Sequence, residues 1–238
     1  MRIRLPLGRT LFFVCAFLFA IIALLPLRLA IAWLDLDEQG LAAREAHGSI
    51  WLGGLSEAQF GPVALGDLGV SLRLLPLFTG RARIDLSRDD EASPFRGSVT
   101  VSRHDFAVND MTARLDMGAA LAPLPSAIVE LTDVTAHFAD GLCANAEGQV
   151  KATFAGSVAG MALPGGLSGA IRCDNAAILL PLASQTGMEA LNVRLFHDGR
   201  YEVELAVRPI DDAMRNALLA AGFRLSGAGY ALTSSGRF

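Results

Sequence analysis

The residues that could do chemistry in this sequence are few and lie far apart. Histidine is the side chain used most often as a metal ligand or general base, and the chain has four: His47, His104, His137 and His197. No two of them are at a metal-ligand spacing, so each is predicted to be solvated or hydrogen bonded. A serine nucleophile would favour a Gly-x-Ser-x-Gly turn, and the segment Gly166–Ala170 lacks the last glycine. The sequence therefore nominates no catalytic residue, and we do not expect an enzyme.

Glycine-rich and acidic stretches give no stronger sign of a bound group. Gly53-Gly54 is followed by neither a Gly-Lys-Ser/Thr nor a Gly-x-Gly-x-x-Gly motif opening a helix, which a phosphate site would need. The cluster Asp89–Glu91 lacks a regular cation-ligand spacing and is interpreted as a solvated loop. The net charge is −4 and no basic patch follows the N-terminus, which argues against nucleic-acid binding. No metal, cofactor or nucleic-acid partner is predicted.

The cysteines offer one covalent possibility. Cys15 lies in an apolar N-terminal run, whereas Cys143 and Cys173 lie well beyond it. If that part of the chain is exported, an oxidising compartment would allow the two to form a disulfide. Two buried free thiols are the alternative. A metal site is disfavoured because no histidine is close to either cysteine in sequence.

The N-terminal segment indicates on which side of a membrane the rest of the chain lies. The arginines Arg2, Arg4 and Arg9 precede a segment from residue 10 to 34 that is apolar apart from Arg28. Because about 20 apolar helical residues cross a bilayer, residues 10–34 are predicted to form a transmembrane anchor. By the positive-inside rule, residues 1–9 are then cytoplasmic and residues 35–238 lie across the membrane.

Two features near the end of this segment concern how it is anchored at the membrane surface and whether it is cleaved. Trp33 is placed to act as an interfacial anchor. Ala30-Ile31-Ala32 has the pattern of a signal-peptidase site, so a cleaved signal peptide is the alternative to an uncleaved anchor. Both alternatives put the rest of the chain on the same side of the membrane.

Beyond residue 34, apolar and polar residues alternate with a period of two, as in Val134–Phe138 and Gly97–Val101. Such alternation is typical of antiparallel strands with one buried face. Asp198-Gly199 predicts a tight turn in a hairpin over Leu191–Val207. Asp211–Ala221 and Asp35–Ala46 have the pattern of short helices, and Gly118–Leu124 could supply another turn of helix. The predicted fold is mainly β: an N-terminal transmembrane helix, then a long, curved antiparallel β-meander with one or two short helices.

The stretch HGSIWLGGL, residues 47–55, combines a tryptophan with glycines on both sides just after the anchor. It is predicted to form the first strand, which Gly48 and Gly53 would let enter and leave the sheet sharply. Ile50 would lie on one face and Trp51 on the other. There Trp51 could pack on the sheet, meet the lipid interface or contact a neighbouring protein.

The order of these features resembles the type II secretion system protein N family. The resemblance rests on the basic start and single anchor, on LPLRLAIAWL at residues 25–34, GSIWLGGL at 48–55 and LRLLPLFTGRARIDL at 72–86, on the two later cysteines and on GRYEVEL at 199–205. Its most specific piece is Gly48-Ser49-Ile50-Trp51-Leu52-Gly53. The resemblance implies a bitopic inner-membrane protein with a periplasmic β-rich domain, no enzymatic activity and a disulfide between Cys143 and Cys173.

Two functions are weighed on these grounds. The resemblance implies an interaction or scaffold module whose partners are other secretion components, in the inner-membrane platform or the outer-membrane secretin; exposed strand edges could pair with them. The rival is an architectural likeness to AsmA-type envelope proteins, in which a half-open sheet binds or transfers membrane lipid in an apolar groove. Its motivation is an apolar content of 52% with very little helix to cover the sheet.

Overall fold

The computed structural model describes residues 7–33, 35, 40–88, 90, 92–118, 126–158, 161–162, 166–227 and 229–237. The helices are α1 (Leu7–Ala23), α2 (Leu27–Trp33), α3 (Leu74–Leu77) and α4 (Asp212–Ala220). The strands are β1 (Leu41–Ala42), β2 (Glu45–Gly48), β3 (Gly53–Phe60), β4 (Val63–Arg73), β5 (Ala82–Arg88), β6 (Phe95–Val101), β7 (Asp105–Asp116), β8 (Ala127–Ala139), β9 (Leu142–Phe154), β10 (Ser157–Val158), β11 (Met161–Ala162), β12 (Leu167–Ala170), β13 (Arg172–Asp174), β14 (Ala177–Ala183), β15 (Glu189–Phe196), β16 (Arg200–Val207), β17 (Arg224–Ser226) and β18 (Gly229–Arg237).

One antiparallel sheet of 16 strands contains all of these strands except β10 and β11, which pair with each other. The strands cross the sheet almost in sequence order, from β1 and β3 at one end to β18 and β17 at the other. The short strands β2 and β13 pair with β3 and β14. The predicted antiparallel meander with few short helices is confirmed.

The apolar core lies on one face of this sheet. Its most buried members include Leu167, with 0% of its surface exposed, and Leu191 and Leu205, with 1% each. They belong to one continuous cluster, and among its buried residues only Leu27 and Leu218 come from helices. A sheet face can be buried to this degree only against another layer. Because the described helices cover so little, that layer is mainly other strands of the same sheet.

Bulges bend the strands in the middle of the sheet. The pairing of β7 with β8 and of β8 with β9 shifts register near Asp110 and Asp133, whose φ angles are 49° and 50°. Aspartate tolerates this left-handed conformation better than most residues. Threonine hydroxyls accept hydrogen bonds from the displaced backbone N–H groups, from Asp110 to Thr135 at 3.1 Å and from Asp133 to Thr112 at 3.2 Å. Bulges of this kind bend strands and increase their twist, which helps one sheet turn its apolar face upon itself.

Burial follows the predicted alternation in most strands but not in β6. Val134, Ala136 and Phe138 are all buried, as predicted. In β6 the expected face over Gly97–Val101 is wrong, because Ser98 is 3% exposed while Val101 is 42% exposed. A register shift lies between Arg96 and Ser98 in the pairing with β7. Two residues of β6 match three residues of β7 at this shift, so the extra residue is in β7 and the burial of Ser98 reflects how β6 lies beside that bulge.

The two longer predicted helices have opposite outcomes; the possible turn over Gly118–Leu124 lies outside the described residues apart from Gly118. Helix α4 confirms the first: the Asp211 carboxylate accepts a hydrogen bond from the Met214 N–H at 2.7 Å, and Leu218 is buried. The helix predicted over Asp35–Ala46 is wrong, because β1 and β2 lie there, although residues 36–39 are outside the described part. Ala46 pairs with Leu55 of β3. A short helix has little stability of its own, so the hydrogen bonds gained by pairing with the long strand β3 favour the extended conformation here.

The hairpin predicted over Leu191–Val207 is confirmed as β15 and β16, in which Leu195 pairs with Tyr201. Its turn is wider than a two-residue turn, because residues 197–199 lie outside both strands. The Gly199 N–H donates to the Phe196 carbonyl at 3.1 Å and closes the turn.

The predicted anchor, residues 10–34, is not one helix. Helix α1 ends at Ala23, and α2 begins at Leu27 after a break at which Pro26 forms an isolated bridge with Ser49. Within the described residues, no helix combines the length and the apolar character required to cross a membrane.

Candidate functional site

The family-like motif forms the turn of a hairpin rather than a strand. Strands β2 and β3 pair up to Gly48 opposite Gly53, and residues 49–52 connect them. The Ser49 N–H donates to the Leu52 carbonyl at 3.1 Å, and the Leu52 N–H donates to the Ser49 hydroxyl at 3.3 Å. Gly48 has a φ of +79°, which turns the chain out of the strand direction and favours glycine. The expectation of a first strand over this stretch is therefore wrong. We call residues 48–53 the motif loop.

Gly53 is required by close packing. A Cβ atom there would lie 2.7 Å from the Ser49 carbonyl oxygen, 2.8 Å from that of His47 and 2.9 Å from Cδ2 of Leu27. Leu27 belongs to α2 and is buried in the core. The absence of a side chain at Gly53 thus allows the N-terminal segment to pack directly against the motif loop.

Ile50 connects three segments through its backbone. Its N–H donates to the Leu25 carbonyl at 3.0 Å, in the break between α1 and α2. Its carbonyl accepts from the Leu72 N–H at 2.9 Å, at the end of β4. The Ile50 side chain packs against the core cluster. The motif loop is therefore held between the N-terminal segment and the sheet.

Trp51 joins the motif loop to α1. Its indole Nε1–H donates to the Ile22 carbonyl at 3.0 Å. Ile22 lies in the last turn of the helix, where carbonyl groups lack partners within the helix. Trp51 is half-buried. The contact that the structure shows, a cap on the end of α1, is none of the three roles expected for Trp51.

The surface of α1 is apolar and exposed. The phenylalanines Phe12, Phe13, Phe17 and Phe19 each expose about two thirds or more of their surface. Arg2 and Arg4 lie outside the described residues, and Arg9 lies within α1. Trp33 ends α2 and is exposed. Exposed apolar surface of this extent is typical of a membrane or protein contact.

The predicted disulfide is present. Cys143 in β9 is bonded to Cys173 in β13, with 5.5 Å between their Cα atoms. The Cys143 N–H donates to the Asn175 carbonyl at 3.1 Å. The bond ties β13, which otherwise pairs with β14, back to the middle of the sheet. Cys15 in α1 is a free, exposed thiol.

His47, His104 and His197 are exposed and His137 is half-buried, which agrees with the prediction that the four histidines are solvated or hydrogen bonded. His104 Nδ1 lies 3.3 Å from an Asp140 carboxylate oxygen, and His137 Nε2 lies 3.7 Å from one of Asp105. His197 packs near the Phe138 ring. No group of three or more metal-ligating side chains occurs in the part of the chain that the structure describes.

Of the acidic stretch predicted to be a solvated loop, the structure describes Asp90. Asp89 and Glu91 lie outside the described residues. Asp90 accepts a hydrogen bond from the Ala92 N–H at 3.0 Å, which is an ordinary turn contact.

A polar cleft on β15, β16 and β18 was not foreseen from the sequence. It has a volume of about 470 Å³, and its lining includes Arg194, Glu202 and Glu204. The Arg194 guanidinium is 2.9 Å from an Asp174 carboxylate oxygen. The hairpin of β15 and β16 and the later strand β18 supply the lining together, so no local spacing signals it.

Comparison with known families decides the identity. The model of the type II secretion system protein N family matches residues 39–233, which include the motif loop, both disulfide cysteines and nearly the whole sheet. The chain belongs to the type II secretion system protein N family. Comparison with curated proteins and with solved structures gives no significant match. In this member of the family, the motif loop is the joint between the matched β domain and the N-terminal helices.

Proposed function

We propose that this protein is a non-enzymatic component of the type II secretion system, held in the inner membrane by its N-terminal segment. The β domain then lies in the periplasm and acts as an interaction module. The supporting observation is the joint itself. Hydrogen bonds from Ile50 and Trp51 to the backbone of Leu25 and Ile22 fix an exposed apolar helix to a folded domain.

The exposed surface of α1 supports the membrane location. Burying a phenylalanine or leucine side chain is favourable by about 1.5–3 kcal/mol, and α1 exposes a succession of them. The arginines Arg2, Arg4 and Arg9 orient the N-terminus towards the cytoplasm. Trp33 in α2 would then lie at the periplasmic interface, and an uncleaved anchor is the form we propose.

The ends of the sheet support the interaction role. The path of paired strands ends with β1 on one side and β17 on the other. Unpaired backbone groups on edge strands can accept a strand from another protein. Candidate partners are components of the inner-membrane platform and the outer-membrane secretin.

The fold does not favour the alternative function, a lipid-binding groove. That alternative requires an apolar sheet face that is exposed. Leu167, Leu191 and Leu205 on that face are almost completely buried within one continuous core. The polar cleft on β15, β16 and β18 does not have the apolar lining that acyl chains need.

A topology measurement tests the location. Protease added to intact cells with a permeabilised outer membrane should digest residues 35–238 and leave an N-terminal fragment in the membrane. The same treatment of a cytoplasmic marker is the control. A β domain that resists digestion until the inner membrane is lysed, yet is digested afterwards, would contradict the proposal.

Site-specific photo-crosslinking tests the interaction role. A photoreactive residue at Ala42 in β1 or Leu225 in β17 probes the two edges, and Thr153 in the central strand β9 is a matched exposed control. We expect adducts with another secretion component from at least one edge and none from Thr153. Equal adducts at all three positions, or none at either edge, would refute an edge-docking module.

A further inference from the structure

A short helix at the end of β4 presents large apolar side chains to solvent. In α3 and the residue after it, Leu75 and Phe78 are each 80% exposed, and Leu74 is 53% exposed. No residue of α3 is buried. Isolated exposed leucines are ordinary, but several on one turn form a patch that solvent disfavours. We call residues 74–78 the apolar knuckle.

The apolar knuckle is held in place by hydrogen bonds. The Thr79 hydroxyl donates to the Pro76 carbonyl at 2.8 Å, and the Arg81 N–H donates to the same carbonyl at 3.1 Å. The Gly80 N–H donates to the Leu77 carbonyl at 3.0 Å. These bonds satisfy the carbonyl groups at the end of the turn. The apolar side chains are therefore displayed by an ordered turn.

The apolar knuckle adjoins the joint with the N-terminal helices. Leu72, two residues before it, donates its N–H to Ile50 of the motif loop, and Ile50 in turn donates to Leu25. Leu52 of the motif loop is also exposed. The knuckle and the end of α1 are thus on the same end of the sheet, with the motif loop between them.

Positive charges flank this apolar surface. Arg73 and Arg83 share the Asp85 carboxylate. Arg28 and Arg81 are exposed, and neither forms an ion pair with a side chain that the structure describes. Apolar side chains with arginines around them are typical of surfaces that insert into anionic lipid.

We propose that the apolar knuckle is a second membrane contact, in which Leu74, Leu75 and Phe78 enter the periplasmic leaflet beside α1 and Arg81 approaches anionic headgroups. This inference rests on the proposed anchoring by α1. The bilayer is the occupant that fits, because the knuckle is next to the point where α1 would leave the bilayer and because its charge complements anionic phospholipid.

The test uses the full chain in vesicles of phosphatidylethanolamine and phosphatidylglycerol, with an environment-sensitive fluorophore on one cysteine at a time. The native Cys15 reports on α1. In a Cys15→Ser background, Leu75→Cys reports on the knuckle. Leu225→Cys is the matched control, since Leu225 is 78% exposed and lies in β17 towards the opposite ends of the strands. Quenchers attached to lipid chains should reach Cys15 and Cys at position 75 but not at position 225.

The other outcomes separate the two proposals. If lipid-borne quenchers reach Cys15 while position 75 behaves like position 225, the second contact is refuted and the anchor stands. If they do not reach Cys15, both proposals fail. If position 75 is protected from aqueous iodide but is not reached by lipid-borne quenchers, another protein or a second copy covers the knuckle, which also refutes the lipid contact.

A charge variant tests the headgroup interaction without altering the apolar side chains. An arginine near an anionic membrane surface contributes about 1 kcal/mol, so Arg81→Gln should lower the ratio of lipid-inserted to water-exposed probe at position 75 about fivefold. The effect should vanish in vesicles of phosphatidylethanolamine and phosphatidylcholine alone. Arg96→Gln, at an exposed arginine in β6, is the control. Equal effects of the two substitutions would contradict a specific role for Arg81.

Discussion

Substituting Gly53 with alanine should loosen the joint between the N-terminal helices and the sheet. The new methyl group would lie within 2.9 Å of three atoms, the carbonyl oxygens of Ser49 and His47 and a methyl carbon of Leu27. The two oxygens belong to the backbone and cannot rotate away. Either the motif loop opens or Leu27 leaves its place in the core.

The expected cost follows from this crowding. Forcing a methyl group into a well-packed site typically costs about 1–3 kcal/mol of unfolding free energy. Leu27→Ala alone should cost about 2 kcal/mol, the lower end of the range for a buried leucine, because Leu27 lies at the edge of the core. Since Leu27→Ala also removes one of the three close contacts, the double variant should cost less than the sum of the single variants by about 0.5 kcal/mol or more.

Two measurements on the full chain in detergent check this reasoning. Urea denaturation gives the unfolding free energy, and hydrogen exchange gives the protection of the Ile50 N–H, which donates to the Leu25 carbonyl. Gly227→Ala is the matched control, because nothing lies within 4 Å of a Cβ at Gly227 and its φ is not in the left-handed region. If Gly53→Ala has the stability of Gly227→Ala and leaves Ile50 equally protected, the proposed packing of the joint is wrong.

Three further predictions concern the β domain. Reduction of the Cys143–Cys173 disulfide, which closes a sequence separation of 30, should lower the unfolding free energy by about 3–4 kcal/mol, and urea titrations with and without reductant would measure it. Asp211→Ala should cost about 1 kcal/mol in the same titration, because it removes the hydrogen bond that caps α4. The hydrogen bond from the Arg200 side chain holds the pKa of Asp198 below its usual 3.8, so Arg200→Gln should raise it in a carboxyl NMR titration. Because the folded-state pKa is the lower one, this contact stabilises the hairpin above pH about 4 and is lost as the pH falls through the folded-state value.

The sequence predicts those parts of the fold that local pattern controls. The strand containing Val134–Phe138 and the helix capped by Asp211 follow from spacing alone. The burial of Ser98 does not, because it depends on how β6 pairs with the bulged strand β7. The disulfide could be predicted from compartment chemistry, without knowledge of the strand pairing. The contact of Trp51 with Ile22 could not, because it joins residues 29 positions apart through a backbone carbonyl that no side-chain pattern marks.

If α1 is the membrane anchor proposed above, the joint and the apolar knuckle would have complementary mechanical effects. A single transmembrane helix tilts by about 20° on average and is free to vary about that value. Because Ile50 and Trp51 fix the sheet to the helix end, any tilt would swing the far strands through a wide arc. A second contact at residues 74–78 would limit that swing, since tilting would pull the leucines out of the leaflet. The edge strands β1 and β17 would then face their partners in a defined direction, which lowers the orientational cost of docking to a large membrane assembly.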